Sequence, residues 1–444
     1  MNRLMQPAML MLALFSMPSL AATQDLLDVY RLAQVEDRVL RAAAAELEAA
    51  REAIPQARAR YLPSVTAGLE GSRTRQDREG GNTETFNSRE LSLRLEQPVF
   101  DRAAWLARGQ ADKRVQQAEV SYTAVEQELI VRTATAYFGV LDALADLRAV
   151  LADKEATARQ LDQTQQRFEV GLIAITDVHE AQARYDRVLS EEILSRNRLD
   201  SARERLRVII GRSQGDLADL AEEVALVEPE PADLEAWVDR AAGDNLALLA
   251  ARYGLDVARD EIEVRRSGHY PTLDLVASYG DSETEGGAFS GGLTGVAGRD
   301  VETESASIGL RLSVPIYLGG QVSSLTREAE AQLVQASELY EQQSREVERQ
   351  TRDAYRNVIA SIARVRALAQ TVVSTQSALD ATQAGFEVGT RTIVDVLDSQ
   401  RNLFLAQRDY DVARHAYVLS TLNLKQAVGT LDEGDVEEAN RLLE

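Results

Sequence analysis

The sequence contains no cysteine and only three histidines, His179, His269 and His415, in 444 residues. Disulfides, thiolate metal sites and a cysteine nucleophile are therefore excluded, as is a lipid-modified cysteine at a mature N-terminus. The histidines do not pair at ligand spacing, so neither a metal nor another cofactor is expected. Positive charge is also short. There are 49 Lys and Arg against 71 Asp and Glu, a formal net charge of −22. That balance argues against nucleic acid, because phosphate binding draws on clustered Lys and Arg. No Ser/His/Asp set, metal cluster or Gly-rich phosphate loop stands out, so no enzyme is expected. Past the N-terminus, no stretch reaches the ~20 apolar residues of a transmembrane helix.

The N-terminus itself reads as an export signal. Met1-Asn2-Arg3 precede an apolar run from Leu4 to Phe15 and then Ser19-Leu20-Ala21. That is a charged region, an apolar core of signal length and a small-x-small cleavage site, so residues 1–21 are expected to be removed. The chain is thus expected to be exported, without a helical anchor.

The main positive feature is a duplication. Phe386-Glu-Val-Gly-Thr-Arg-Thr-Ile-Val-Asp395-Val-Leu-Asp398 has a near-copy in Phe168-Glu-Val-Gly-Leu-Ile-Ala-Ile-Thr-Asp177-Val178. The offset is 218 (386−168), and it also carries Tyr137 to Tyr355, Gln182 to Gln400 and Gly211 to Gly429. A constant offset over so much chain marks two structural repeats. Long helical periodicity flanks Gly171 and Gly389, and a glycine there suits a helix C′ position. Each Val-Gly step therefore predicts a tight turn between two long antiparallel helices. A heptad seam through Val140, Leu144, Leu147, Leu151, Ala158, Leu161 and Phe168, repeated from Tyr355 to Phe386, predicts coiled-coil packing.

Ahead of each helical hairpin the period changes. Leu26 to Ala59 reads as one helix that stops at Pro63. Apolar residues then alternate with polar ones at Val65, Ala67 and Leu69, and again at Leu91, Leu93 and Leu95. In the second repeat they alternate at Leu273, Leu275, Ala277 and Tyr279, and at Ile308, Leu310 and Leu312. Two β-hairpins follow, at about 62–98 and 271–315. Their segments approach the ~9–11 residues of a tilted membrane strand. Tyr61, Phe100, Tyr270 and Tyr317 sit at the Pro-marked ends like an interfacial girdle. Leu91, Leu93, Leu95, Ile308, Leu310 and Leu312 are the expected lipid-facing residues. Four strands cannot close a barrel and open edges are not viable in lipid, so the barrel must be shared between subunits. The expected boundaries are a first repeat at 22–212, a connector at 213–232, a second repeat at 233–430 and a short acidic tail at 431–444.

Over essentially the whole mature chain, this duplicated order of helix, β-hairpin and long helical hairpin resembles the TolC-type outer-membrane channel-tunnel family. The local likeness rests on Gln166 to Val178, on Val388 to Asp398 and on Leu424-Lys-Gln-Ala-Val-Gly-Thr-Leu431. The resemblance implies a mainly α fold with a β-barrel part. Each chain of a homotrimer would give four strands to a shared transmembrane barrel and long helices to a periplasmic α-barrel. It implies an export duct passing proteins or small molecules from an inner-membrane pump or ABC translocase, with periplasmic adaptors docking on the tunnel. The Gly171 and Gly389 tips are the expected docking points. The resemblance also carries over Arg391 and Asp177 as a lock between neighbouring helix pairs, and Phe386 stands where close relatives can hold a tyrosine. Asp395 and Asp398, three apart, share a helix face and would ring the entrance with carboxylates. The other reading of the same pattern is a soluble periplasmic coiled-coil adaptor or scaffold.

Overall fold

The computed structural model describes residues 23–76, 84–221, 224–285 and 301–443. The export signal lies outside the described residues, as do parts of the two β-hairpin loops.

Three short helices open the chain: α1 (Leu26–Glu36), α2 (Arg38–Arg51) and α3 (Ala53–Ala59). The expectation of one continuous helix is corrected here. Asp37 leaves helical geometry and its carboxylate accepts from the Leu40 amide at 2.7 Å, ending α1 and capping α2. A short acid that hydrogen-bonds nearby amides favours such a cap over the helix interior. The second repeat makes the same break. Asn245 separates α6 (Leu234–Asp244) from α7 (Leu246–Arg266) and accepts from the Leu248 amide.

The strands are β1 (Ser64–Gln76), β2 (Glu84–Phe100), β3 (Thr272–Glu285) and β4 (Val301–Ser313). They form one antiparallel sheet in the order β1-β2-β3-β4. The register builds apolar rows across all four strands. One row is Val65–Leu95–Ala277–Ile308, and the next is Ala67–Leu93–Tyr279–Ala306. The opposite face carries Thr66–Arg94–Ser278–Ser307, and Arg311 reaches Glu96 at 3.5 Å. No helix packs on either face among the described residues. The apolar rows are left open: Leu69 is 82 % exposed, Ile308 77 % and Leu310 68 %.

Two long helical hairpins carry the rest. The first joins α4 (Arg102–Glu169) to α5 (Ile175–Ile210), and the second joins α8 (Gln321–Glu387) to α9 (Ile393–Val428). With 68 residues in α4, the rod is roughly 100 Å long at ~1.5 Å per residue. Its first half packs with α7 and the short helices, and its second half with α5. In the first part of each repeat the offset is 208 (245−37), not 218, so the ten-residue difference arises in the longer second β-hairpin.

The core sits midway along the rods. Tyr137, Phe138 and Leu141 of α4 meet Leu206 and Ile210 of α5, Val29 of α1, Val358 of α8, and Leu424 and Val428 of α9. The connector and α10 (Glu433–Asn440) wrap around this level. The Tyr137 hydroxyl donates to the Ala218 carbonyl at 2.6 Å. A Cβ at Gly429 would stand 2.2 Å from the Asp244 carbonyl oxygen, so that turn needs glycine.

His415 clamps the connector to the rods. It is 1 % exposed and stacks on Phe138. Its Nδ1 lies 2.6 Å from an Asp142 carboxylate oxygen, and its Nε2 lies 3.5 Å from Asp219, which also takes Arg148 at 2.7 Å. Burial pulls the imidazole pKa down, but the two carboxylates outweigh it and the net direction is up. Burial also pushes Asp219 up, and the nearby His415 imidazole, the Arg148 guanidinium and the Leu220 amide reverse that to a net lowering. The His415 contribution to stability is full below its unfolded value of about 6.5 and fades as pH rises through the elevated native value. That of Asp219 is lost only in acid below the ordinary carboxylate range. His415→Phe, which keeps the ring but not the charge, is therefore expected to cost about 1–2 kcal/mol at pH 6, less than a fully buried ion pair because Asp142 and Asp219 are each more than a third exposed. Thermal melts of variant and parent should converge as pH rises from 6 through the elevated native value. A difference that grows with pH contradicts this account.

Candidate functional site at the helical tips

Each long hairpin ends in the same turn. The Gly171 amide donates to the Phe168 carbonyl at 2.9 Å and the Leu172 amide to the Arg167 carbonyl at 2.9 Å. In the second tip Gly389 donates to Phe386 at 3.1 Å and Thr390 to Gly385 at 2.8 Å. These paired bonds are a Schellman closure, which needs a left-handed C′ residue, and both glycines have φ near +78°. An added Cβ at either would meet nothing within 4 Å. The glycine is required by its backbone angle and not by crowding. Val170, Leu172 and Val388 stand exposed around the two turns.

The helices leaving the tips start differently. Thr392 and Asp395 form a reciprocal capping box on α9. The Thr392 amide and hydroxyl each donate to the Asp395 carboxylate at 2.8 Å. These bonds, with Arg391 nearby, hold the Asp395 carboxyl below its ordinary range. In the first repeat Ala174 occupies the cap position and has no side-chain bond to give. Asp177 is thereby spared the capping role and lines a groove of about 420 Å³ between the two helical hairpins, with Thr164, Arg167, Arg184, Ile393 and Leu397.

Asp395 and Asp398, expected together at the entrance, have different neighbours. Asp398 accepts from the Arg184 guanidinium of α5 at 2.7 Å. Arg391 and Asp177 are not joined within the single chain: among the described residues no ion pair links them. Arg391 packs back over Gly385, where its Cγ lies 2.8 Å from a Cβ position. Phe386 sits against Leu379, Val396 and Leu403 and has the Arg167 guanidinium 5.5 Å over its ring.

The heptad seam also divides. On α8, Val358, Ile362, Val365 and Leu379 are buried. On α4 the buried positions toward the tip are Ala156, Thr157, Gln160 and Thr164, while Leu151 and Phe168 are exposed. Small polar residues thus replace the expected apolar knobs. At the sheet end of the rods, Phe100 meets Trp105 edge-on at 5.4 Å and Arg102 lies 4.6 Å over Tyr270. Tyr317 is exposed, and Tyr61 takes the Gln97 amide on its carbonyl. Trp105, Arg184 and Arg167 escaped the sequence reading. Arg184 had a usable signal, since it follows Asp177 by seven residues on one helix face.

The family model described as outer membrane efflux protein matches residues 29–212 and 237–430, one match per repeat. The chain belongs to that family of outer-membrane export channels, and the soluble scaffold reading is set aside. It is 42 % identical to the outer membrane protein TolC of Escherichia coli strain K12, over 98 % of this chain and 88 % of that protein. It is 32 % identical to the alkaline protease secretion protein AprF of Pseudomonas aeruginosa, covering 93 % of this chain and 86 % of the relative. Among solved structures, the Campylobacter jejuni CmeC outer membrane channel superposes with a TM-score of 0.76 at 16 % identity. That match covers 94 % of this chain and 90 % of the channel.

Because the tip glycines are set by φ alone, Gly171→Ala or Gly389→Ala is expected to cost about 1–2 kcal/mol locally, the left-handed penalty of an L-residue. Amide hydrogen exchange should accelerate within a turn of the substituted tip and stay unchanged in the Tyr137 core. Slowed exchange at the tip contradicts the assignment.

Proposed function

We propose that three copies assemble into a twelve-stranded barrel in the outer membrane, continued by a helical tunnel that is gated at its periplasmic tips. The carrying observation is the sheet, which among the described residues has an uncovered apolar face, a polar opposite face and two unpaired edges, β1 and β4. Lipid supplies the missing layer for the first, and neighbouring chains supply partners for the edges. Leu91, Leu93, Leu95, Ile308, Leu310 and Leu312 face lipid in this reading, with Arg94 and Arg311 in the lumen. Tyr61, Phe100, Tyr270 and Tyr317 mark the periplasmic interface.

Two hairpins per chain give six similar tips, which suit periplasmic adaptors that dock around the Gly171 and Gly389 turns and hand cargo from an inner-membrane pump or translocase. Relatives named for protease secretion support protein cargo. The Arg391–Asp177 lock then acts between adjacent chains. A bidentate Arg–carboxylate pair has the directionality for it. Asp395 lends acidic charge to the entrance while capping its own helix.

Planar-bilayer recordings test the gate. Arg391→Ser should raise conductance, and Asp395→Asn, which keeps a capping oxygen but removes the charge, should lower cation preference. Unchanged values for both contradict a gate at the tips. For the barrel, Leu93→Arg is expected to cost about 2–4 kcal/mol near the bilayer midplane, while Ser92→Arg on the other face costs far less. Equal losses in denaturant titrations of the reconstituted protein contradict the lipid-facing assignment.

A further inference from the structure

We propose that the cleft between the connector and the end of α9 is a binding site for small organic cations with an apolar body, and that an occupant strengthens the belt of connector, α6 and α10 around the rods. The site borders the main core midway along the rods, where Trp237, Val358 and Leu422 belong to both. It stands apart from the gate at the tips.

The cleft holds about 370 Å³. That is within the range of small-molecule sites and too small for two turns of a docking helix about 10 Å across. Its apolar side is built by Trp237 of α6, Val358 of α8, Val418 and Leu422 of α9, and Leu442 beyond α10. The connector gives another wall, with Ala225 and the stretch from Val227 to Glu230. That wall is pinned in place. The Tyr417 hydroxyl accepts from the Val227 amide at 2.9 Å and donates to the Val227 carbonyl at 3.1 Å. The Trp237 indole N–H donates to the Pro231 carbonyl at 2.8 Å. The polar ends of both aromatic residues are thereby satisfied within the chain, and their ring bodies are left as cavity wall. A wall fixed in advance lowers the ordering cost of an occupant.

Charge selects the occupant. Glu228, Glu230, Asp435 and Glu438 line the cleft against a single cation, Lys425. Lys425 is already committed: its Nζ contacts Asp435 and reaches Glu438 at 3.1 Å. Glu228 and Glu230 are exposed on the connector and take no ion pair among the described residues. An anion would have to break the Lys425 pairs and face two free carboxylates. A cation meets those carboxylates directly, with an indole ring beside them. Trp237 already takes one cation in this way, since the Arg240 guanidinium lies 5.5 Å from its ring centre. An occupant touches connector, α6, α9 and α10 together, so its binding free energy adds to the cohesion of the belt.

The test is calorimetric titration of the full-length assembled protein in detergent with three probes that share one apolar body: 3-phenylpropylamine, 3-phenylpropanol and 3-phenylpropionate. The amine is expected to bind about tenfold more tightly than the alcohol, and the carboxylate more weakly than either. The amine should also raise the melting temperature of the parent as its concentration rises. Glu228→Gln/Glu230→Gln removes two charges and keeps the side-chain size. It should weaken the amine about three- to tenfold and leave the alcohol unchanged. Ala225→Phe, on the exposed connector, fills the cleft and should abolish binding of all three probes. The two variants change different chemistry, so a folding defect in one, read as a lowered melt without probe, leaves the other informative. Equal affinities for the three probes overturn the site, because they mark apolar adsorption. Amine binding that survives both variants also overturns it and places the attraction at carboxylates elsewhere, such as those of the tips. Absence of amine binding to the assembled parent overturns it as well, because a neighbouring chain then fills the cleft.

Discussion

A backbone amide in hydrocarbon has no water to turn to, so a strand there must pair on both sides. Among the described residues, the outer edges of β1 and β4 are unpaired and no helix covers the apolar face of the sheet. In water that combination is an aggregation hazard. In a bilayer, shared between chains, it becomes a closed wall. The other features follow from it. The two rods that leave the sheet must descend together, the chain must repeat its plan to supply two of them, and the core must sit where connector, α1, α6 and α10 can belt them.

The tips are built on the opposite logic. Midway along the rods, large side chains are fully buried and His415 adds an enclosed charge cluster. Toward the tips the buried positions of α4 shrink to Ala, Thr and Gln, and the hairpins are tied by Arg184–Asp398 and Arg167–Phe386. Contacts of this kind are individually weak and sensitive to salt. A rigid belt with polar, weakly joined ends is a workable design for a duct that must stay assembled while its entrance moves.

Much of this was legible in the residues. Period-two alternation bounded by Pro63 and Pro98 located β2 and its partner, and the Val-Gly pairs located both tips to the residue. The break at Asp37 was not legible, because an acid inside an Ala- and Glu-rich run looks like solvated helix surface until its carboxylate is seen on the Leu40 amide. The lower α4 seam was missed because heptad reading follows Leu and Phe, whereas the buried residues there are Thr157, Gln160 and Thr164. Asp395 and Asp398 share a helix face in sequence, yet one turns to its own helix start and the other to a different hairpin. Only three-dimensional pairing separates those roles.

The absence of cysteine makes the central claim directly measurable. Cysteine pairs can be introduced with one residue on β1 between Val65 and Gly71 and one on β4 between Ser305 and Arg311, then oxidised in outer-membrane fractions. A shared barrel predicts that some registers cross-link neighbouring chains and that the reaction stops at a covalent trimer. Chains that stay uncross-linked in every register, or a ladder that continues past three, would contradict it.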